Sequence, residues 1–211
     1  MPLLLFRLRP PGRGPARVAR GLVTAAVALA MAVAPASAED MALSPDLQVP
    51  IILRLLAYDR HLESRAGEEL MIGILYPPTD PDAVKAANAL SDTLFRFTGK
   101  TVKRLPFRYM LVEYTTPESL ERSVTARGID ILYVTPGNAK NLQGITKVSQ
   151  GRGITTTTGV PEYVRGGVCV GLLVSQGRAQ PIINLASCRD EGVEFDASLL
   201  RISTVVNRTV P

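Results

Sequence analysis

Apolar residues along this chain switch repeatedly between two spacings, and the switches mark the elements. From 46 to about 65, Val49, Ile52, Leu53, Leu56 and Leu62 recur at helical spacing and predict a first helix. Leu70–Tyr76 is a nearly unbroken apolar run stopped by Pro77-Pro78, the pattern of a strand buried on both faces. Asp80-Pro81 then offers a cap and a first-turn proline for a helix over 83–97, with Gly99 just past its end. The signals repeat: a strand over 107–114, the cap and proline Thr116-Pro117, a helix over 120–127, then Gly128. A third strand over 129–134 ends at Pro136-Gly137. A helix over 138–148 and a strand over 154–158 complete the alternation.

Strands separated by helices of this length require right-handed crossovers and a mainly parallel sheet. After Gly159 the pattern changes. Apolar runs over 168–174 and 182–186 flank a polar loop over 175–180, which reads as a hairpin, and 196–206 reads as a closing helix capped by Asp196. The expected fold class is α/β: a three-layer domain, mainly parallel, with a C-terminal antiparallel hairpin and a terminal helix.

The first 38 residues change how the composition is interpreted. Arg7, Arg9, Arg13, Arg17 and Arg20, with no acidic residue among them, precede an apolar run over 21–34 and then Pro35 and Ala36-Ser37-Ala38. A basic start, a short apolar stretch and a small-x-small site define a secretory leader, too short to be a membrane anchor. Residues 1–38 are therefore expected to be removed, leaving 39–211 as one domain in an oxidising compartment. The chain carries 24 Lys and Arg against 19 Asp and Glu, but five of the arginines lie in the leader, so the remainder is formally neutral. Its high pI thus gives no reason to expect nucleic-acid binding, and no part of the mature chain is expected to insert in a membrane. The local group Lys100, Lys103, Arg104 and Arg108 is a candidate anion surface, with a solvated loop as the plainer alternative. Without tryptophan, an aromatic sugar- or choline-binding platform is also disfavoured.

Cys169 and Cys188 are the only cysteines and fall on opposite arms of the expected hairpin. A symmetric hairpin centred on the loop puts them face to face, close enough for a structural disulfide; two buried thiols are the alternative. Catalytic chemistry is sparse. The single histidine, His61, cannot build a His-rich metal site; a Ser-His-Asp arrangement could be assembled only from it, a solvated surface histidine is the favoured reading, and no Gly-x-Ser-x-Gly elbow is present. No cofactor, metal or catalytic residue is expected. The candidate ligand-binding residues are Thr135, Gly137 and Asn138, in a strand-to-helix turn whose amides can hold an anion; a simple turn is the competing reading. The threonine run over 155–158 reads as a strand with alternating faces.

Several segments together carry a family likeness. Val164-Arg165-Gly166-Gly167-Val168, then Pro181-Ile182-Ile183-Asn184-Leu185, then Ser198-Leu199-Leu200-Arg201-Ile202 resemble the YfiR/HmsC-like family of periplasmic proteins. Ile129–Val134 and Leu70–Leu75 are similar to that family's central and first strands, so the likeness runs over roughly 48–206. It implies a non-enzymatic sensor or regulator, a homodimer, acting on the periplasmic domain of an inner-membrane signalling protein such as a diguanylate cyclase or sensor kinase. Gly166, Gly167 and Asn184 are the structural motif residues: the glycines permit close backbone approach, and Asn184 is expected to bond a buried loop or the preceding helix. The alternative function is a periplasmic small-ligand binding protein using the Thr135–Asn138 turn.

Overall fold

A computed structural model describes residue 39 and residues 41–206. The leader expected over 1–38 lies outside the described residues. The elements are α1 (Pro45–Leu56), α2 (Leu62–Ala66), β1 (Leu70–Tyr76), α3 (Pro81–Arg96), β2 (Thr101–Val102), β3 (Leu105–Glu113), α4 (Pro117–Arg127) and β4 (Ile131–Val134). A 3-10 turn (Ala139–Asn141) leads into α5 (Leu142–Arg152), β5 (Thr155–Thr158), α6 (Pro161–Arg165), β6 (Val170–Ser175), β7 (Arg178–Asn184), α7 (Leu185–Asp190), α8 (Ala197–Leu200) and β8 (Thr204–Val206).

All eight strands form one sheet in the order β2-β3-β1-β4-β5-β6-β7-β8. The central pairs β3–β1, β1–β4, β4–β5 and β5–β6 are parallel. The β2–β3 and β6–β7 pairs are antiparallel, and β8 joins β7 in parallel. Helices cover both faces, and successive strand residues divide between two cores. Leu70, Ile72, Ile74, Ile131 and Tyr133 join the core that also holds Ile52 of α1 and Leu90 of α3. Leu75, Leu132 and Val134 join the other, with Leu120 of α4, Ile145 of α5 and Val164 of α6. This is the α/β, mainly parallel arrangement that the strand–helix alternation predicts.

Local chemistry sets the element ends. The Asp80 side chain accepts from the amides of Asp82 and Ala83 to start α3, and Thr116 and Ser119 form a reciprocal capping box at α4. The first helix is not continuous to residue 65, as the spacing implied. It stops at Leu56, because Asp59 is buried and its carboxylate accepts from the amides of His61 and Glu194, drawing the backbone out of helical register. The expected closing helix is also replaced. Only Ala197–Leu200 is helical, and the β-branched run Thr204-Val205-Val206 pairs with β7 as a strand.

The hairpin is tighter than the polar loop implied. Ser175 pairs with Arg178 across Gln176-Gly177, both at positive φ (50° and 71°), a two-residue type I′ geometry. That register pairs Val170 with Ile183, and the Asn184 amide donates to the Cys169 carbonyl at 2.8 Å. Cys169 therefore faces Asn184 rather than Cys188. The two cysteines are nonetheless joined, with an S–S distance of 2.10 Å and Cα atoms 4.5 Å apart. They meet because β7 ends at Asn184 and α7 carries Cys188 back over the strand end. The bridge thus joins the residue before β6 to α7 and is not cross-strand.

Candidate functional site

Strand β1 lies between β3 and β4, while α3 and α4 leave for opposite faces of the sheet. A sheet with that order has a crevice at the carboxyl ends of β1 and β4, where open α/β sheets bind their ligands. Three turns border it: Pro77–Asp80 after β1, Thr135–Asn138 after β4 and Gly159 after β5.

The three candidate ligand residues occupy this crevice, but their groups are used differently. Thr135 is fully buried, and its hydroxyl donates to the Leu75 carbonyl at 2.9 Å. Asn138, equally buried, donates from Nδ2 to the Thr135 carbonyl at 3.1 Å, and its amide donates to the Tyr163 hydroxyl at 2.8 Å. Both hold the turn in shape. Gly137 differs: its amide donates 2.5 Å to the carboxylate of Glu39, far away in sequence. Gly137 sits at φ 85°, and a Cβ there would come 2.5 Å from the Asp80 carboxylate. The helix expected from residue 138 begins only at Leu142, so these amides belong to a turn rather than to the amino end of a long helix.

Glu39 and residues 41–48 lie across the crevice. The Ala42 amide donates to the Gly159 carbonyl at 2.9 Å, and the Met41 sulfur lies 3.9 Å from the Tyr133 hydroxyl. Gln48 is fully buried; its side chain donates to the Leu43 carbonyl and accepts from the Tyr133 hydroxyl. Burial drives the Tyr133 phenol well above its ordinary pKa, so it stays a neutral donor. Gly159 leaves room for Gln48, because a Cβ at that position would overlap the glutamine amide. The sequence signal for this anchor was one polar residue on an otherwise apolar helix face.

A second buried polar centre lies beside the disulfide. The Glu191 carboxyl is fully buried and meets the hydroxyls of Ser149 (2.8 Å) and Thr156 (2.7 Å) and the Thr156 amide (2.8 Å). Burial pushes its pKa up to about 8 despite those bonds. The Cys169 amide donates to the same Thr156 hydroxyl at 2.9 Å, so one threonine links the carboxyl to the bridge. The threonine run is therefore buried at all four positions instead of presenting hydroxyls to solvent. Arg65 ties the neighbouring end: it pairs with Asp59 at 2.5 Å and donates to the Thr155 hydroxyl (2.9 Å) and the Gly153 carbonyl (2.8 Å).

The motif residues have structural surroundings. Asn184 caps α7 by accepting from the Ser187 amide at 3.2 Å, and its Nδ2 donates to the Val164 carbonyl of α6 at 3.0 Å. Gly167 adopts φ 120° in the turn that leads from α6 to β6, and Gly166 is the residue that ends α6. The basic group is already paired: Arg104 and Lys103 with Glu63, and Arg108 with Glu69. Those contacts set two carboxylates against three cations, so they offset the candidate anion surface only in part. His61 is half exposed, 3.7 Å from Glu194, at the rim of an open hollow of about 390 Å³ that reaches Cys188 and Arg189. Among the described residues, no group of three or more His, Cys, Asp or Glu side chains could hold a metal ion, and no helix is long and apolar enough to cross a membrane.

The fold and the crevice define a mixed-sheet α/β domain with a doubly-wound centre. Solved structures share it: a conserved domain protein from Vibrio cholerae (TM-score 0.55, 14% identity, 79% of this chain and 61% of that one). Another is an ABC domain from Streptococcus pneumonia in complex with L-Trp (TM-score 0.52, 13% identity, 77% of this chain and 62% of that one). The chain thus spans about three fifths of either structure, and the likeness is one of fold. No curated protein matches. The YfiR/HmsC-like family model matches residues 50–204, and the chain belongs to that family.

Proposed function

We propose that this chain is a non-enzymatic periplasmic regulator that acts by contact with the periplasmic domain of an inner-membrane signalling protein. The observation that carries the reading is family membership over residues 50–204. The use of the Thr135 and Asn138 side chains to hold their own turn is in keeping with it. In this reading residues 1–38 export the chain and are removed before Glu39, and the mature protein forms a homodimer. A diguanylate cyclase is the first partner to test. Deleting the gene should then raise intracellular cyclic-di-GMP, and restoring it should reverse the change; an unaltered level would exclude a cyclase partner.

A small-ligand reading retains one specific support, the switch-point crevice with Gly137 at its edge. In it, Thr135 and Asn138 shape the turn and the Gly137 amide contacts the ligand. Screening envelope metabolites for an upward shift of the melting temperature tests it, since a ligand that binds only the folded state must stabilise it. A flat screen removes the reading.

A further inference from the structure

Strand β3 lies at the outside of the sheet, and most of its outer edge is open. β2 pairs only with its start, Val102 opposite Leu105 and Thr101 opposite Pro106. Among the described residues no other strand lies on that side of β3. The Tyr114 amide donates inward to the Tyr76 carbonyl at 2.8 Å. By strand alternation, the amides and carbonyls of Phe107, Tyr109, Leu111 and Glu113 therefore point away from β1. The uncovered run Tyr109-Met110-Leu111-Val112 contains neither a charge nor a proline, the devices that keep exposed edges from pairing. Leu111 is 40% exposed, and an open hollow of about 480 Å³ lined by Leu111, Glu113 and Arg127 lies alongside.

The run is complementary to itself. Two copies joined at this edge by a two-fold axis pair antiparallel, with one residue opposite its own copy at the axis. With Leu111 at that position, Tyr109 of either copy faces Glu113 of the other. These are all residues whose backbone groups point outward, so each pair exchanges both of its hydrogen bonds. The side chains also match. Leu111 meets Leu111, and the Tyr109 hydroxyl meets the Glu113 carboxylate on the same face. On the other face Met110 meets Val112, and Arg108 meets Tyr114. No two like charges stand opposite each other. The same stagger clears β2, because the residue that reaches the level of the other copy's Pro106 is Thr116, where the chain has left the strand to cap α4.

We infer that the outer edge of β3 is a homodimer interface, at which a second copy of this chain continues the sheet antiparallel about Leu111. The inference rests on the homodimer of the proposed function and gives it a surface and a register.

Sedimentation over a concentration series tests it, on the exported chain, on Leu111→Lys and on Val174→Lys, an exposed position of β6. Leu111→Lys sets two cations against each other at the axis and should weaken self-association about tenfold or more, whereas Val174→Lys should leave it unchanged. A dimer that Leu111→Lys does not weaken overturns this interface and leaves the homodimer standing. A monomer at every concentration overturns both. Cross-linking gives a second test that does not depend on weakening the dimer. Leu111→Cys, treated with a short reagent that joins two thiols, should yield a covalent dimer, because residues opposite each other in a hydrogen-bonded pair have Cα atoms about 5.5 Å apart. Val174→Cys should yield none. A covalent dimer through position 174 and none through 111 would place the contact elsewhere and overturn the proposal.

Discussion

Single residues in this molecule are constrained mainly by what they meet across the sheet. Gly159 is a clear case, since its missing side chain is the space that Gln48 fills. Replacing Gly159 by Ala should cost about 1–3 kcal/mol through overpacking. The cost should shrink when Gln48→Ala is made in the same chain, which denaturant unfolding of the four proteins would measure. Glu191 gives a pH signature. Its folded pKa of about 8 lies above its ordinary value of 4.5, so the folded state holds a proton that the unfolded state releases. The resulting stability is complete below about pH 4.5 and is lost as pH rises towards 8, at up to about 1.4 kcal/mol per pH unit. Glu191→Gln should flatten that part of the stability–pH curve; an unchanged slope would contradict the assignment. Neither residue was legible as a site in the sequence. A glycine after a threonine strand and a glutamate before a glycine carry no local mark, because the partners that give them meaning are 111 positions away for Gly159 and, in the case of Ser149, 42 for Glu191.

At the scale of elements, the legible parts were those with strong local signals. Leu70–Tyr76 has the bounds its apolar run implies, and the cap-plus-proline starts of α3 and α4 are where Asp80 and Thr116 place them. Asp80→Ala should therefore destabilise the protein by about 1 kcal/mol, measurable as a lower denaturant midpoint with an unchanged slope. The elements that differ are those set by tertiary contacts. The break after Leu56 comes from the buried Asp59 and its distant partner Glu194, and β8 forms because β7 offers it an edge. The hairpin shows both effects. Its position was readable, but Gln176 lacks the Asn or Asp that marks a two-residue I′ turn, so the register was not. The cysteine pair was anticipated and its geometry was not, because the bridge needs the chain reversal at Asn184. Substituting both cysteines by Ala should cost about 2–4 kcal/mol, since the bridge closes a loop across a sequence separation of 19. A thermal unfolding scan of the double variant against the oxidised protein would check it.

For the molecule as a whole, the alternation of strands and helices was enough to reach the α/β class and the parallel centre, and the resemblance was enough to reach the family. The crevice was only half legible. Thr135, Gly137 and Asn138 were singled out as a turn after a strand, and they do border the switch point. Glu39 and residues 41–48, which border it, are joined to it through a single glutamate, one backbone amide and one buried glutamine, and of these only Gln48 left a mark in the sequence, as a polar residue on an apolar helix face. The central claim, regulation by contact with a membrane signalling protein, is tested most directly by cross-linking the protein in living cells and identifying the attached chains by mass spectrometry. The account predicts capture of an inner-membrane cyclase or kinase through its periplasmic domain. Capture of a transport permease, or of nothing but further copies of this chain, would contradict it.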